Sequence, residues 1–138
     1  MNKKILVLCS GNSCRSQIAE GYLRHFANGK ADVYSAGVAT QGVNPWAIRT
    51  MKEDNIDISD HTSNHISEYR DIDFDLVITV CDNARERCPF FPTTAKRYHR
   101  NFPDPAQAKG TEEEIREQFR QVRQQIKDYC QQLITDHI

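Results

Sequence analysis

The chain has 138 residues, a length that fits one domain with a single hydrophobic core. Apolar residues make up 38% and charged residues 27%, as in an ordinary soluble globular protein, and no apolar run approaches the roughly 18 residues of a membrane span. The formal net charge of -1 supplies no overall field that would attract nucleic acid or an anionic membrane, so neither is an expected partner.

The predicted elements alternate between strands and helices. The first apolar run is too short for the hydrophobic region of a signal peptide and is interpreted as a buried strand, so we expect a cytoplasmic protein. We also expect a monomer. In chain order, the pattern predicts a strand at 4–9, a helix at 13–27, a strand at 32–36, a helix from Pro45 to about Glu53, a strand at 75–80, a weaker strand at 96–99, and a long amphipathic helix behind a capping box of Thr111 and Glu114. This alternation predicts one three-layer α/β domain over residues 1–138, with a four-stranded parallel sheet and helices on both faces.

The segment from Cys9 to Ser16 joins the first strand to the first helix, where open α/β sheets bind their ligands. Backbone N–H groups of such a loop converge at a helix N-terminus, whose dipole favours an anion. Arg15 adds a planar set of donors suited to a tetrahedral oxyanion. The predicted oxyanion site therefore consists of Ser10, Gly11, Asn12, Ser13, Cys14, Arg15 and Ser16.

Cys9 is the candidate nucleophile. A helix N-terminus and a nearby arginine lower the pKa of a thiol, so we expect a Cys9 thiolate at neutral pH, with Ser16 placed to donate a hydrogen bond to it. The alternative is that Cys9 ends a strand as a small buried apolar residue and that Arg15 is a surface charge. The strand–loop–helix context favours the nucleophile.

The five cysteines are at positions 9, 14, 81, 88 and 130. An odd number without an export signal argues against a framework of structural disulfides, and no histidine stands at zinc-finger spacing from them. We therefore expect thiols that are reduced at rest. Cys14 and Cys130 are interpreted as packing residues, whereas Cys81 and Cys88 have polar neighbours and are candidate redox residues.

Cys81 directly follows the predicted strand at 75–80 and therefore emerges at the same sheet edge as the anion loop. If residues 81–88 were helical, the Cα atoms of Cys81 and Cys88 would lie about 10 Å apart. A disulfide needs roughly 4.4–6.8 Å. We infer a redox switch in which a bond between Cys81 and Cys88 requires the segment to unwind or loop out.

Asp104 lies in a stiff turn, Pro103-Asp104-Pro105, before the last helix. Thiolate attack on an oxyanion expels a poor leaving group that needs a proton, and a carboxylic acid on a constrained loop can supply it. An Asp-Pro pair is also a common turn. The residues alone leave both interpretations open.

Several motifs resemble one known family. The segment from Cys9 to Ser16 resembles the loop of the low-molecular-weight protein tyrosine phosphatases, and residues 17–21 are more similar to the thioredoxin-coupled arsenate reductases that share their fold. Further matches lie at residues 34–37, 42–45, 56–59 and 61–63, so the resemblance covers nearly the whole chain. Cys81 and Cys88 are similar to the reductases, and Ala106-Gln107 stands where the phosphatases commonly carry tyrosines.

The resemblance implies a relay of three cysteines. Cys9 would attack arsenate bound in the loop while Asp104 protonates the departing hydroxyl. Cys81 would then form a disulfide with Cys9 and release arsenite, and Cys88 would take over that disulfide by bonding to Cys81. Electrons would come from thioredoxin, or from glutathione and glutaredoxin, with no tightly bound cofactor and with weak phosphatase activity as a side reaction.

Some members of the family hold a potassium ion near the loop. Asn12, Glu20 and Ser35 match the residues of that site, but the fourth position is Asn64, which lacks the expected carboxylate. We therefore expect a weak site and little potassium stimulation. The alternative for Glu20 is an ordinary carboxylate on a helix surface.

Two other functions remain open at the level of sequence. A low-molecular-weight phosphatase acting on phosphotyrosine or small phosphomonoesters would use Cys9, Arg15 and Asp104 and would not need Cys81 or Cys88. A non-catalytic oxyanion and redox sensor would bind the anion and tolerate Asp104→Asn.

Overall fold

The computed structural model describes residues 2–82 and 95–138. These residues contain a parallel sheet whose four strands are β1 (Lys3–Cys9), β2 (Ala31–Gly37), β3 (Leu76–Thr79) and β4 (Lys96–His99). The strand order is β2-β1-β3-β4, so β1 lies between β2 and β3. The predicted parallel sheet is confirmed, including its weaker strand, β4, at one edge.

The register of the sheet brings the ends of its strands to one edge. Cys9 at the end of β1 pairs with Gly37 at the end of β2. Leu8 pairs with Thr79 at the end of β3, and Thr79 pairs with His99 at the end of β4. The loops that follow β1, β3 and β4 therefore leave the sheet side by side, at the edge where open α/β sheets bind ligands.

Three α-helices lie within the described residues: α1 (Arg15–Ala27), α2 (Pro45–Glu53) and α3 (Glu112–His137). Helix α1 begins at Arg15 rather than at Ser13 because the preceding backbone is not helical, with φ 49° at Asn12 and φ -120° at Cys14. Helix α3 begins as predicted. Its capping box is formed by Thr111 and Glu114, whose backbone N–H groups each donate to the other's side chain at 3.4 and 3.2 Å respectively.

Helices cover both faces of the sheet, as predicted. The three α-helices contact one another. Along β2, Ser35 points toward α1, where its hydroxyl donates to Glu20. The preceding residue, Tyr34, points to the opposite face, and its ring centroid lies 5.3 Å from that of Tyr69 in a short 3₁₀ helix (Ile66–Tyr69).

The core is built around β1. Its residues Ile5, Leu6, Val7 and Leu8 are each at most 1% exposed, as expected for a strand in the middle of a parallel sheet with both faces covered. Within the ranges that the structure describes, no helix is long and apolar enough to cross a membrane.

A cluster of ion pairs joins α2 to α3 at Glu53. Arg120 donates to both carboxylate oxygens of Glu53 at 3.0 Å, and Arg123 donates to one of them at 3.0 Å. These contacts lower the pKa of Glu53 below its ordinary value of 4.5, and the hydrogen bonds from Arg120 have the largest effect. The ionised carboxylate therefore stabilises the folded chain.

We expect Glu53→Gln to lower the free energy of unfolding by about 1 kcal/mol at neutral pH, because a partly exposed bidentate pair is lost. A carboxyl whose pKa falls on folding stabilises the protein above its unfolded pKa, and this contribution disappears as the pH falls through the folded pKa. Urea denaturation of parent and variant should therefore give curves that differ at pH 7 and converge in acid. A difference that stayed constant into acid would contradict this account.

Candidate active site

Residues 10–14 form a loop between β1 and α1 whose carbonyl groups are bonded to the segment after β2. The carbonyl of Ser10 accepts from the backbone N–H groups of Val38 and Ala39 at 3.0 and 2.9 Å, and the carbonyl of Gly11 accepts from that of Gln41 at 2.9 Å. The carbonyl groups are thus directed to one side. On its other side the loop leads into the N-terminus of α1, a position that favours an anion.

Gly37 lets β2 approach this loop closely. A Cβ atom added at Gly37 would lie 2.8 Å from both the backbone nitrogen of Asn12 and the carbonyl oxygen of Ser10. Real Cβ atoms do not approach backbone atoms so closely, so only glycine fits here without moving the loop. Gly37 ends the segment 34–37 that resembles the family, and the structure gives it this physical role.

A buried network behind the loop is centred on the amide side chain of Asn12. Its oxygen accepts hydrogen bonds from Ser16 Oγ at 3.2 Å and from Gln17 Nε2 at 2.6 Å, and its nitrogen donates to Ser35 Oγ at 3.3 Å. The sequence suggested that the Ser16 hydroxyl donates to Cys9. In the structure it donates to Asn12 instead. Asn12 and Ser16 support the loop from behind.

His61 extends this network, although its spacing in the sequence gave no reason to assign it a role. Its Nδ1 lies 2.9 Å from Gln17 Oε1, and its Nε2 lies 3.3 Å from Glu20 Oε2. Burial lowers the pKa of His61, against the opposing effect of the Glu20 carboxylate. His61 is distant from the loop in the sequence, so its contact with the network behind the loop could be found only once the fold was known.

A pocket of about 110 Å³ lies over the loop. Its lining combines the predicted nucleophile, the arginine, the candidate acid and four of the other loop residues; in full, it consists of Cys9, Ser10, Gly11, Ser13, Cys14, Arg15, Gln41, Asp104, Ala106 and Gln107. The fold therefore brings together three segments that are far apart in the chain. The pocket is the size of a small anion, and the part of its lining that the structure describes includes no aromatic side chain.

Arg15 holds the pocket together. Its Nη1 donates to the carbonyl of Phe102 at 3.1 Å, and its Nη2 lies 3.6 Å from Asp104 Oδ2. Its Nε is buried and has no hydrogen-bond partner among the described residues. A buried guanidinium nitrogen without a partner is costly, and an oxyanion in the pocket is a suitable acceptor.

Asp104 begins the short 3₁₀ helix Pro105–Gln107. Its Oδ1 accepts from the backbone N–H of Ala106 at 3.0 Å, and its Oδ2 faces Arg15. The turn that the Asp-Pro pair predicts is therefore present, and the same carboxyl group also lines the pocket. Asp104 can therefore be both the turn residue and the candidate proton donor, the two interpretations that the sequence left open.

Cys9 and Cys81 lie next to each other at the ends of neighbouring strands. A hydrogen bond between their thiols is the largest cause that raises the pKa of Cys9, and burial is the second. The positive charge of Arg15 opposes this rise. The lowered pKa expected from the sequence is therefore not found in this arrangement, because Cys81 stabilises the protonated thiol. The Cys81 Sγ atom also lies 3.2 Å from Ser10 Oγ.

The remaining cysteines differ in their surroundings. Burial raises the pKa of Cys14 to about 11 and also raises that of Cys130, whose thiol donates to the carbonyl of Ala19 in α1. Both are buried, which agrees with packing roles. Cys88, and with it the predicted switch over residues 81–88, lies outside the described residues.

The proposed potassium ligands are only partly assembled. Asn12, Glu20 and Ser35 are hydrogen-bonded together, but the side chain of Asn64 interacts instead with Thr62 and Glu68. The Glu20 carboxylate also pairs with Arg24 at 2.9 Å. A carboxylate already matched by a guanidinium, with the fourth ligand turned away, does not fit a potassium ion. Within residues 2–82 and 95–138, no cluster of three or more His, Cys, Asp and Glu residues suits a metal ion.

Comparison with known proteins identifies the family. The model of the low molecular weight phosphotyrosine protein phosphatase family matches residues 4–137. The chain belongs to this family. Within it, the chain is 49% identical over 127 residues to an arsenate reductase of Halalkalibacterium halodurans, with 91% of each chain covered.

Solved structures of the same family are similar over nearly the whole chain. An arsenate reductase in the oxidized state has a TM-score of 0.83 and 34% identity, and one in the phosphate binding state has a TM-score of 0.80 and 36% identity. Each comparison covers 97% of this chain and 98% of the other. The low-molecular-weight phosphatase-like fold is thereby confirmed.

We expect Gly37→Ala to displace the anion loop and to abolish binding of inorganic phosphate, measured by calorimetry, while destabilising the protein by about 1–3 kcal/mol through overpacking. Gly29→Ala is the matched control. Gly29 has φ 83° and open space around it, so alanine there causes backbone strain without touching the loop. Unchanged phosphate affinity in Gly37→Ala would contradict the role assigned to Gly37.

Potassium and sodium chloride at equal concentration should give the same thermal midpoint and the same phosphate affinity. The reason is that Arg24 already neutralises the Glu20 carboxylate. An ion that binds only the folded state would raise the thermal midpoint with its concentration. Such a rise with potassium alone would show that the site is functional.

Proposed function

We propose that this protein reduces arsenate to arsenite through a relay of Cys9, Cys81 and Cys88, with a thioredoxin-type protein as the reductant. The single observation that carries the proposal is the hydrogen bond between the thiol of Cys81 and that of Cys9, which lines the pocket over the loop. A phosphatase needs only the first of these thiols. The relatives named arsenate reductase support the same substrate.

In the first step, arsenate binds the loop N–H groups and the guanidinium of Arg15, whose buried Nε gains an acceptor. The bound arsenate dianion accepts the proton of the Cys9 thiol. This transfer is needed because the pKa of Cys9 is raised in the resting protein. Arg15 then stabilises the thiolate that remains.

In the second step, the Cys9 thiolate attacks arsenic and an S–As bond forms. A hydroxyl group departs as water with a proton from Asp104, which lines the same pocket. Arsenic remains As(V) in this adduct. Asp104 is held for the task by its hydrogen bond from Ala106 and its contact with Arg15.

In the third step, the Cys81 thiol gives its proton to an oxygen of the arsenic group bound to Cys9, and the resulting thiolate attacks Cys9 Sγ. The S–S bond forms as the S–As bond breaks, and its electron pair stays on arsenic, which leaves as As(III) in arsenite. Ser10, 3.2 Å from Cys81 Sγ, is placed to donate a hydrogen bond to the developing thiolate. Cys88 then attacks Cys81, which releases Cys9 as a thiolate and leaves a disulfide for the reductant.

The test follows NADPH oxidation with arsenate, thioredoxin and thioredoxin reductase. We expect Cys9→Ser and Cys81→Ser to abolish turnover, and Cys88→Ser to allow about one turnover and stop at the disulfide between Cys9 and Cys81. Cys130→Ala should retain turnover, since Cys130 is buried between α3 and α1. Undiminished cycling of Cys88→Ser would contradict the relay.

The same variants separate this function from that of a phosphatase. Hydrolysis of para-nitrophenyl phosphate needs Cys9, Arg15 and Asp104 but not Cys81, so Cys81→Ser should retain any such activity. Strong ester hydrolysis without arsenate turnover would make the protein a phosphatase. If thioredoxin fails, the assay is repeated with glutathione and glutaredoxin, and arsenate binding without turnover in either assay, unaffected by Asp104→Asn, would indicate a sensor.

A further inference from the structure

Three side chains beside Cys81 form a continuous hydrogen-bonded chain. Thr79 Oγ1 lies 2.6 Å from His99 Nδ1, and His99 Nε2 lies 2.7 Å from Asp82 Oδ1. Thr79 and His99 are register partners at the ends of β3 and β4. Neither His99 nor Asp82 lines the oxyanion pocket, and neither takes part in the steps described above.

Hydrogen bonds to the segment after β4 hold the backbone on both sides of Cys81. Before it, the carbonyl of Val80 accepts from the N–H of Phe102 at 3.1 Å. After it, the N–H of Asp82 donates to Asn101 Oδ1 at 3.1 Å, while its carboxylate is held by His99. Cys81 is therefore fixed between two points on the segment that follows β4.

The chain of contacts is better suited to orientation than to stability. The Asp82 side chain is 64% exposed, and a pair between an exposed carboxylate and a histidine contributes little to the free energy of unfolding. His99 itself is anchored, because its side chain is only 19% exposed and is bonded to the buried Thr79. The anchored His99 thus holds the exposed carboxylate of Asp82, the residue next to Cys81.

Both hydrogen bonds of His99 persist in either protonation state. In the neutral ring with a proton on Nε2, Asp82 accepts that proton and the Thr79 hydroxyl donates to Nδ1. In the charged ring, Nδ1 donates to the same hydroxyl, because a threonine hydroxyl both donates and accepts. The contact is therefore a fixed support.

We propose that Thr79, His99 and Asp82 position Cys81 so that its Sγ faces Cys9 and the disulfide between them forms rapidly. The inference rests on the proposed relay, since it assigns these residues to the step in which Cys81 attacks Cys9. His99 and Asp82 act through the placement of Cys81 and touch no reacting atom. Misplacing a reacting group by about 1 Å can slow a step about 100-fold.

The test measures the Cys9–Cys81 disulfide directly in the Cys88→Ser background, mapped by peptide mass spectrometry. The bond is formed in two ways: by arsenate, and by the thiol oxidant diamide, which takes up the two thiol hydrogens and is reduced to the hydrazine. His99→Ala, Asp82→Ala and the double variant are compared with Asp82→Asn. His25→Ala, a change at an exposed histidine of α1, is the control.

We expect each alanine variant to slow disulfide formation by at least about tenfold with both oxidants, and the double variant to be no slower than His99→Ala, since the residues act as one unit. Asp82→Asn, which keeps an acceptor for His99, should restore the parental rate. His25→Ala should have no effect. Thermal midpoints measured alongside show which variants are folded, and Asp82→Ala remains a test if His99→Ala does not fold.

Parental rates in folded Asp82→Ala would overturn the inference, as would additive effects in the double variant. The two oxidants separate this inference from the proposed function. If arsenate forms no disulfide in the Cys88→Ser parent, the relay is wrong. Diamide still reports whether His99 and Asp82 set the geometry of the two thiols.

Discussion

The buried amide of Asn12 is the constraint on which the active site depends. Its backbone adopts φ 49°, which turns the chain from β1 into the loop. Its side chain accepts two hydrogen bonds from α1 and donates one to Ser35 in β2. Asparagine tolerates this backbone conformation better than most residues. The position of Cys9, the direction of the loop carbonyl groups and the start of α1 all follow from how this residue is held.

A second constraint comes from Arg15 at the first position of α1. Its guanidinium reaches the segment after β4 through the carbonyl of Phe102 and the carboxylate of Asp104. The arginine therefore places the candidate acid over the loop as well as offering charge to an anion. Because these contacts occupy only part of the guanidinium, Nε remains for a ligand.

The parallel register explains why two reactive thiols meet. Cys9 ends β1 and Cys81 follows β3, the neighbouring strand, so both thiols arrive at the same sheet edge. Their mutual hydrogen bond raises the pKa of Cys9. In the proposed reaction this protects the nucleophile until a dianion binds and accepts its proton. The relay and the support of Cys81 by His99 then use the same edge.

The sequence by itself determined the features that depend on neighbouring residues. The alternation of strands and helices, the loop from Cys9 to Arg15 and the capping box at Thr111 are local patterns, because backbone preference and hydrogen bonding over a few residues decide them. They sufficed to locate the sheet edge and the pocket. Only the tertiary structure decided which distant groups meet there: that the Cys81 thiol hydrogen-bonds to Cys9 and raises its pKa, that Ser16 bonds to Asn12, that Asn64 turns away from Glu20, and that His61 and His99 support the site. These outcomes depend on strand order and register, which place residues of remote sequence position within hydrogen-bonding distance and which no local spacing encodes.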